Sequence, residues 1–338
     1  MPAPSPSLVS IVIPTFNYGR FIAETLDSVL AQSLPTWECL VIDDGSTDDT
    51  ESIVSAYARR EPRISYTRQE NAGLSAARNA GLRLGKGQYF QFLDADDFIE
   101  PRKLEWQTSH LEAHPHVGIV YGPARYFPSD KPAQHRYART DPDDPWMPEV
   151  SGSGSDVLPI LLRMNIMPVN SPLVRREVIR QVGYFNEGLR ALEDWDYWTR
   201  CALFGAHFHF LDREGSYALV RIHPESMSNE ALRMQAAVVR HYQATLGLAP
   251  DRASQRALRG YLNHARKSLA RLHIADGRVL TGSLAMVRAA LADHQYWLAA
   301  KFTIAFLLIP ILGRRRFATW ACGSYSLRKA LKSRLLGR

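Results

Sequence analysis

The run Asp94-Ala95-Asp96-Asp97 puts three carboxylates within four residues, directly after the apolar stretch Gln88-Tyr89-Phe90-Gln91-Phe92-Leu93. Carboxylates packed this closely repel one another unless a positive charge sits among them. An oxygen-only cluster of this kind suits Mg2+ or Mn2+, ions commonly shared with a substrate phosphate. A second acidic pair, Asp43-Asp44, ends another apolar stretch, Trp37 to Ile42. Either run alone also reads as an ordinary turn, since Asp favours turns. Their recurrence at successive strand ends argues for chemistry.

No competing phosphate loop is present. Neither G-x-G-x-x-G nor G-x-x-x-x-G-K-[ST] stands at a strand end, which argues against a dinucleotide-dependent dehydrogenase or a P-loop enzyme. A nucleotide bound here needs another cation for its phosphates, and a metal on the Asp94 turn supplies one.

The elements that must position these acids follow from periodicity. Leu8 to Ile13 reads as a buried strand ended by Pro14, and Ile22 to Ser33 has helical spacing. Trp37 to Ile42 is a second strand. Thr47 to Thr50 opens a helix, and Ser46 with Asp49 has capping-box spacing. Arg63 to Arg68 is a strand, Leu74 to Leu84 a helix closed by Gly85, and Gln88 to Leu93 a strand. This alternation predicts an α/β fold with a mainly parallel sheet flanked by helices. Ligands then bind at the carboxyl ends of the strands, where Pro14-Thr15-Phe16-Asn17, Asp43-Asp44 and the Asp94 turn converge. Val117 to Tyr121 is a further strand, residues 128–154 a long loop, and Asp194 to Leu203 a helix. Strands near 206–212 and 216–222 follow, and the pattern is helical from about 229.

The chain has 338 residues and a formal net charge of +7. The excess lies in residues 301–338, which hold nine Lys or Arg and no acid; without them 32 basic residues face 34 acidic ones. No nucleic-acid partner is expected of such a distribution. Cys39, Cys201 and Cys322 form no C-x-x-C pair, so neither a disulfide framework nor a zinc site is expected. The start of the chain has no basic, then apolar, signal pattern.

The run Val9-Ser10-Ile11-Val12-Ile13-Pro14-Thr15-Phe16-Asn17, followed by Val41-Ile42-Asp43-Asp44-Gly45-Ser46-Thr47-Asp48, resembles family 2 glycosyltransferases of the GT-A fold. Asn71-Ala72-Gly73-Leu74-Ser75-Ala76-Ala77-Arg78-Asn79 and Phe92 to Asp97 continue the likeness. So do Gly183 to Glu187, Glu193-Asp194-Trp195-Asp196, and Val220 to Ser228. The likeness covers about residues 8–228 and implies a catalytic domain over 1–228, with a helical, basic C-terminal region over 229–338.

The resemblance also implies roles. Pro14 and Phe16 would flank the nucleobase, Phe16 by stacking, and Asp44 would accept a hydrogen bond from it. Asp43 faces the sheet instead. Asn71 and Arg78 would line the donor edge, or else serve as a helix cap and a structural salt bridge. Asp94 would reach the ribose or the metal, Asp96 would ligate Mn2+ or Mg2+, and Asp97 would support the turn. His223 would add a metal ligand or a diphosphate contact, or be structural. Asp194 is the candidate general base, with Glu193 a helix N-terminal carboxylate. Trp195 and Trp198 read as core rather than as a sugar platform.

The expected activity is inverting transfer of one sugar from a nucleoside diphosphate sugar, a UDP-sugar by family frequency, to a glycan or lipid-linked acceptor in cell-surface polysaccharide synthesis. Processive relatives carry Q-x-x-R-W and spanning helices, and neither is found here. The rival readings are a sugar-phosphate nucleotidyltransferase and a non-catalytic carbohydrate- or nucleotide-binding module. In the tail, Phe302 to Leu312 is about half the ~20 apolar residues that span a bilayer. With Arg314-Arg315-Arg316, Trp320 and Tyr325 beyond it, it predicts peripheral attachment to an anionic membrane surface, on the inner face of the cell membrane.

Overall fold

The computed structural model describes residues 9–138, 143, 146–226 and 230–307, with side chains to 303. The chain divides into two compact units, Met1–Ser226 and Met227–Arg338.

The first unit opens as β1 (Val9–Thr15), α1 (Gly19–Leu30), β2 (Trp37–Asp43), α2 (Thr50–Arg60), β3 (Ile64–Arg68), α3 (Leu74–Leu84) and β4 (Tyr89–Phe92). β1, β2 and β4 are buried almost throughout, as strands covered on both faces must be. β3, β2, β1 and β4 pair in parallel in that order. Their register aligns the carboxyl ends, with Thr15 beside Asp43 and Val12 beside Phe92.

The second half of the unit adds β5 (Phe98–Ile99), α4 (Lys103–Ala113), β6 (Ile119–Tyr121), β7 (Ala124–Pro128), α5 (Gly154–Leu161), β8 (Leu173–Arg175), α6 (Arg176–Val182), α7 (Glu193–Leu203), β9 (Phe208–Phe210) and β10 (Ala218–Ile222). β8 joins antiparallel between β4 and β6, and β9 closes the seven-stranded sheet. A three-stranded sheet, β5-β10-β7, stands apart. Its β10 leads straight to His223, so it carries that residue toward the Asp94 turn.

Two local expectations are corrected. Ser46 and Asp49 form no capping box. The Ser46 hydroxyl accepts from the Asn17 N–H (2.9 Å), and Asp48 instead receives the Thr50 N–H and hydroxyl. The first strand also runs through Pro14 to Thr15. Leu93 N–H reaches the Val12 carbonyl and Asp44 N–H the Thr15 carbonyl, so by alternation Pro14 faces the β4 side. Pairing with β4 stops at Val12, and the missing proline N–H costs no ladder bond.

The second unit comprises α8 (Ala231–Leu246), α9 (Arg252–Ala275), α10 (Val279–Ala292) and α11 (Tyr296–Leu307). Ala270, Ile274, Val279, Met286 and Phe302 form its core. Among the described residues no helix is long and apolar enough to cross a membrane. The start of the tail, through residue 307, belongs to α11, and residues 308–338, with Cys322, lie outside the described residues; Cys39 and Cys201 are free and buried.

Candidate active site

The ends of β1 and β2 are sewn together by their own loop residues. Asn17 adopts a left-handed φ of 57°, a conformation Asn tolerates better than most residues. Its side-chain oxygen accepts from Thr47 N–H at 2.7 Å. Gly19 donates its N–H to Asp48 at 2.9 Å, and a Cβ there would lie 2.0 Å from an Asp49 oxygen. This stitching leaves Phe16 44% exposed at the strand end, available for stacking. Pro14, in contrast, is buried inside β1.

Asp43 and Asp44 divide their work. Asp43 accepts from Ser46 N–H (2.7 Å) and the Tyr66 hydroxyl (2.6 Å), entirely within the fold. Asp44 accepts from Gln69 Nε2 (2.7 Å) and Ala72 N–H (2.9 Å) on one oxygen and Gly73 N–H (2.7 Å) on the other. Asp44 therefore holds the loop entering α3, and of about four lone-pair positions one stays open. Gly73 has φ 100°, a value suited to glycine. Asn71 lies exposed on this loop; α3 starts after Gly73 with no side-chain cap, so Asn71 is not its cap.

The Asp94 turn sends its three acids in three directions. Asp94 accepts from Arg78 Nη2 at 2.6 Å. Asp96 meets His223 Nε2 at 2.8 Å. Asp97 accepts from Arg221 N–H (2.8 Å) and Asn170 Nδ2 (2.9 Å) and supports the turn from beneath. Burial and the adjacent Asp96 raise the Asp94 carboxyl, against the pull of Arg78. The hydrogen bond that His223 donates to Asp96 raises its imidazole above the ordinary value.

Arg78 links this turn to the distant acids. Its side chain is 1% exposed, and Nη1 bonds Glu193 at 2.5 Å while Nη2 bonds Asp94. Glu193 opens α7, preceded by Leu192 at a left-handed φ of 60°. Asp194, one residue on, accepts from Trp195 N–H (2.7 Å) and Asn165 Nδ2 (2.9 Å). Burial, reinforced by Glu193, pushes the Asp194 carboxyl up to about 7. Trp195 and Trp198 are core residues, 5% and 0% exposed.

Among the described residues Asp94, paired with Arg78, does not form a three-ligand set with Asp96 and His223. Among the described residues no group of three His, Cys, Asp or Glu forms a ready metal site. The Asp96–His223 pair nevertheless offers an oxygen and an imidazole donor of the type Mn2+ accepts, with phosphate and water free to complete the shell.

Several neighbours carried no readable sequence signal. Burial, reinforced by the nearby Asp96, Asp94 and Asp97, raises the Tyr18 hydroxyl well above the ordinary value. Arg221 donates Nε to the Asp96 carbonyl at 2.8 Å and pairs with Glu24 at 3.0 Å. Asn165 and Asn170 sit in a loop without a motif. Tyr18 was the most accessible of these, since it directly follows a recognised strand end.

The sheet, with acids at its carboxyl edge and a helix-borne acid pair facing them, defines a GT-A-type α/β fold with a helical C-terminal region. Residues 10–178 match "Glycosyl transferase family 2", and the chain belongs to that family. It is 30% identical over 227 residues to an uncharacterized glycosyltransferase of Rickettsia prowazekii, covering 67% of each chain. An uncharacterized glycosyltransferase of Rickettsia felis is 32% identical over 196 residues, 57% of this chain; there the match spans only 31% of the relative's length. Among solved structures, S. aureus TarS 1–349 in complex with UDP-GlcNAc has TM-score 0.64 at 17% identity, covering 96% of this chain and 92% of that one. Mannosyltransferase PcManGT from Pyrobaculum calidifontis, in complex with GDP-Man and Mn2+, has TM-score 0.56 at 20% identity, covering 100% and 89%. At these identities the likeness speaks for the fold.

Proposed function

We propose that the chain transfers one sugar, with inversion, from a UDP-sugar to a hydroxyl of a glycan or lipid-linked acceptor in cell-surface polysaccharide synthesis. The observation that carries this reading is the Asp94–Arg78–Glu193 ion-pair chain, which ties an acidic donor turn to an acid pair whose Asp194 is tuned to about 7. A pure binding module has no use for a tuned carboxylate. A nucleotidyltransferase needs a basic glycine-rich loop after the first strand, and Pro14-Thr15-Phe16-Asn17 is not one. The UDP-GlcNAc bound by one structural neighbour supports a nucleoside diphosphate sugar as donor.

In this reading Phe16 stacks on the base, and the open position on Asp44 accepts from it. Pro14 shapes the strand end beneath. Asn71 and Arg78 border the donor, Arg78 acting through Asp94. Asp96 and His223, with Asp94 alongside, hold Mn2+ or Mg2+; the Mn2+ of the mannosyltransferase neighbour supports such an ion. When bound, it supplies positive charge to the leaving diphosphate. Asp194 takes the proton of the acceptor hydroxyl as that oxygen bonds to the anomeric carbon and the bond to the diphosphate breaks on the opposite face. A base with a value near 7 is half ionised at neutral pH and still basic enough to accept the proton.

The C-terminal region would hold the enzyme at the inner face of the cell membrane. Support comes from the basic excess of residues 301–338 and from Leu280, Leu284, Tyr296 and Trp297, each more than half exposed in the second unit.

The test is release of UDP from UDP-GlcNAc and other UDP-sugars with and without Mn2+. Metal-dependent release of nucleoside diphosphate is expected. Pyrophosphate release from sugar phosphate and nucleoside triphosphate would favour the nucleotidyltransferase, and binding without turnover across an acceptor panel would favour the module.

A further inference from the structure

The loop between α5 and β8, residues 162–172, touches both acidic centres. Asn165 donates its side-chain amide to Asp194 at 2.9 Å, and Asn170 donates to Asp97 at 2.9 Å. In both side chains the carbonyl oxygen is buried and has no hydrogen-bond partner among the described residues. Leaving a buried acceptor unsatisfied is costly, so neither asparagine is explained by its own comfort. Each amide has instead been turned so that N–H faces a carboxylate. The opposite orientation would set oxygen against oxygen.

The loop is anchored for this task from within the core. Lys103 is fully buried on α4 and donates to Gln91 Oε1 (2.5 Å) and Gln107 Oε1 (2.7 Å). Gln91 in turn donates to the main-chain carbonyl of Asn170 (2.9 Å) and Gln107 to that of Ser171 (3.0 Å). Ser171 Oγ closes on the Gly122 carbonyl at 2.6 Å. A satisfied buried network of this kind rigidifies what it holds. The end of the loop that carries Asn170 therefore rests on a fixed support in the core.

We infer that Asn165 is a positioning residue for the transfer reaction: it fixes the orientation of the Asp194 carboxylate and favours its ionised form. This rests on Asp194 being the base. One oxygen of Asp194 is held by its own helix through Trp195 N–H, and the other, among the described residues, by Asn165. The charged groups facing Asp194 are Glu193 on its own helix and Arg78 on α3. Their opposite signs work against each other, which leaves the Asn165 amide as an uncharged adjustment of the balance. A hydrogen bond to the ionised form favours that form, so its removal moves the Asp194 midpoint upward.

The experiment uses the full chain with aspartate labelled by carbon-13 at the side-chain carboxyl. The Asp194 resonance is assigned by its loss in Asp194→Asn and titrated in wild type, Asn165→Ala and Asn165→Asp. Asn165→Ala should raise the midpoint by about one pH unit. Asn165→Asp keeps the side-chain volume, its fold is checked by circular dichroism, and it should raise the midpoint further because a second acid replaces the donor. An unmoved midpoint in folded Asn165→Asp overturns the inference. UDP release from UDP-GlcNAc undiminished in Asp194→Asn would instead overturn the role of Asp194 as base, whatever Asn165 does.

Discussion

Replacing Arg78 by Met tests the link between the two acidic centres. The guanidinium is 1% exposed and holds Glu193 and Asp94 at 2.5 and 2.6 Å; the Glu193 side chain is itself only 6% exposed. Met retains much of the volume but leaves Glu193 buried opposite Asp94 with no cation between them. Removing one member of a buried ion pair costs about 3–5 kcal/mol, most of it from the charge left behind. For a domain of this size that lowers Tm by ~6–20 °C. The sign of the pH dependence follows from the same acids. Without Arg78 the Asp94 carboxyl, already raised by burial and Asp96, rises further above its unfolded value, so it costs stability once pH exceeds the ordinary carboxylate range. The deficit should therefore be largest near pH 7 and shrink toward pH 4.5. Urea unfolding followed by tryptophan fluorescence at several pH values measures it. Arg78→Lys, which keeps the charge but not the two-armed geometry, should fall between. A deficit under about 1 kcal/mol at pH 7, or one that does not change with pH, would refute the reasoning.

Three further outcomes are expected. Asp96→Ala should abolish Mn2+-dependent binding of UDP-sugar in calorimetry, whereas Asp194→Asn should leave binding intact and slow transfer by ~10²–10⁴-fold; full activity in Asp96→Ala would require another metal assignment. The rate of transfer at subsaturating substrate should rise through about pH 7 as Asp194 loses its proton, and this limb should vanish from the residual activity of Asp194→Asn. Flotation with anionic liposomes at low salt should carry the full chain upward and fail when Arg314, Arg315 and Arg316 are all changed to Glu; equal flotation of both would sink the membrane role of the tail.

The parallel half of the sheet was legible because buried parallel strands are short, β-branched and bounded by acidic or proline-containing turns. β1 and β2 follow that pattern; β4 is a buried aromatic run that leads into the Asp94 turn, and β3, largely exposed, was placed by the alternation of strand and helix. β8 is three residues long and antiparallel, and no periodicity of that length distinguishes it. The three-stranded sheet that carries His223 forms from segments about 95 residues apart or more, which local pattern does not connect.

For the site, sequence determined which residues could do chemistry: carboxylates at Asp44, Asp94, Asp96 and Asp194 and the ring of Phe16 at a strand end. The family resemblance, not local periodicity, set Asp43 and Asp97 apart as supports, and both accept hydrogen bonds from within the fold. Only tertiary structure decided how those groups share charge. Arg78 reaches across 115 residues to Glu193, His223 across 127 to Asp96, and Asn165 across 29 to Asp194. A carboxylate's ionisation depends on its burial and on the donors and charges nearest in space. Those neighbours are set by the packing of α3, α7 and the 162–172 loop around the end of β4, which no local run of residues contains.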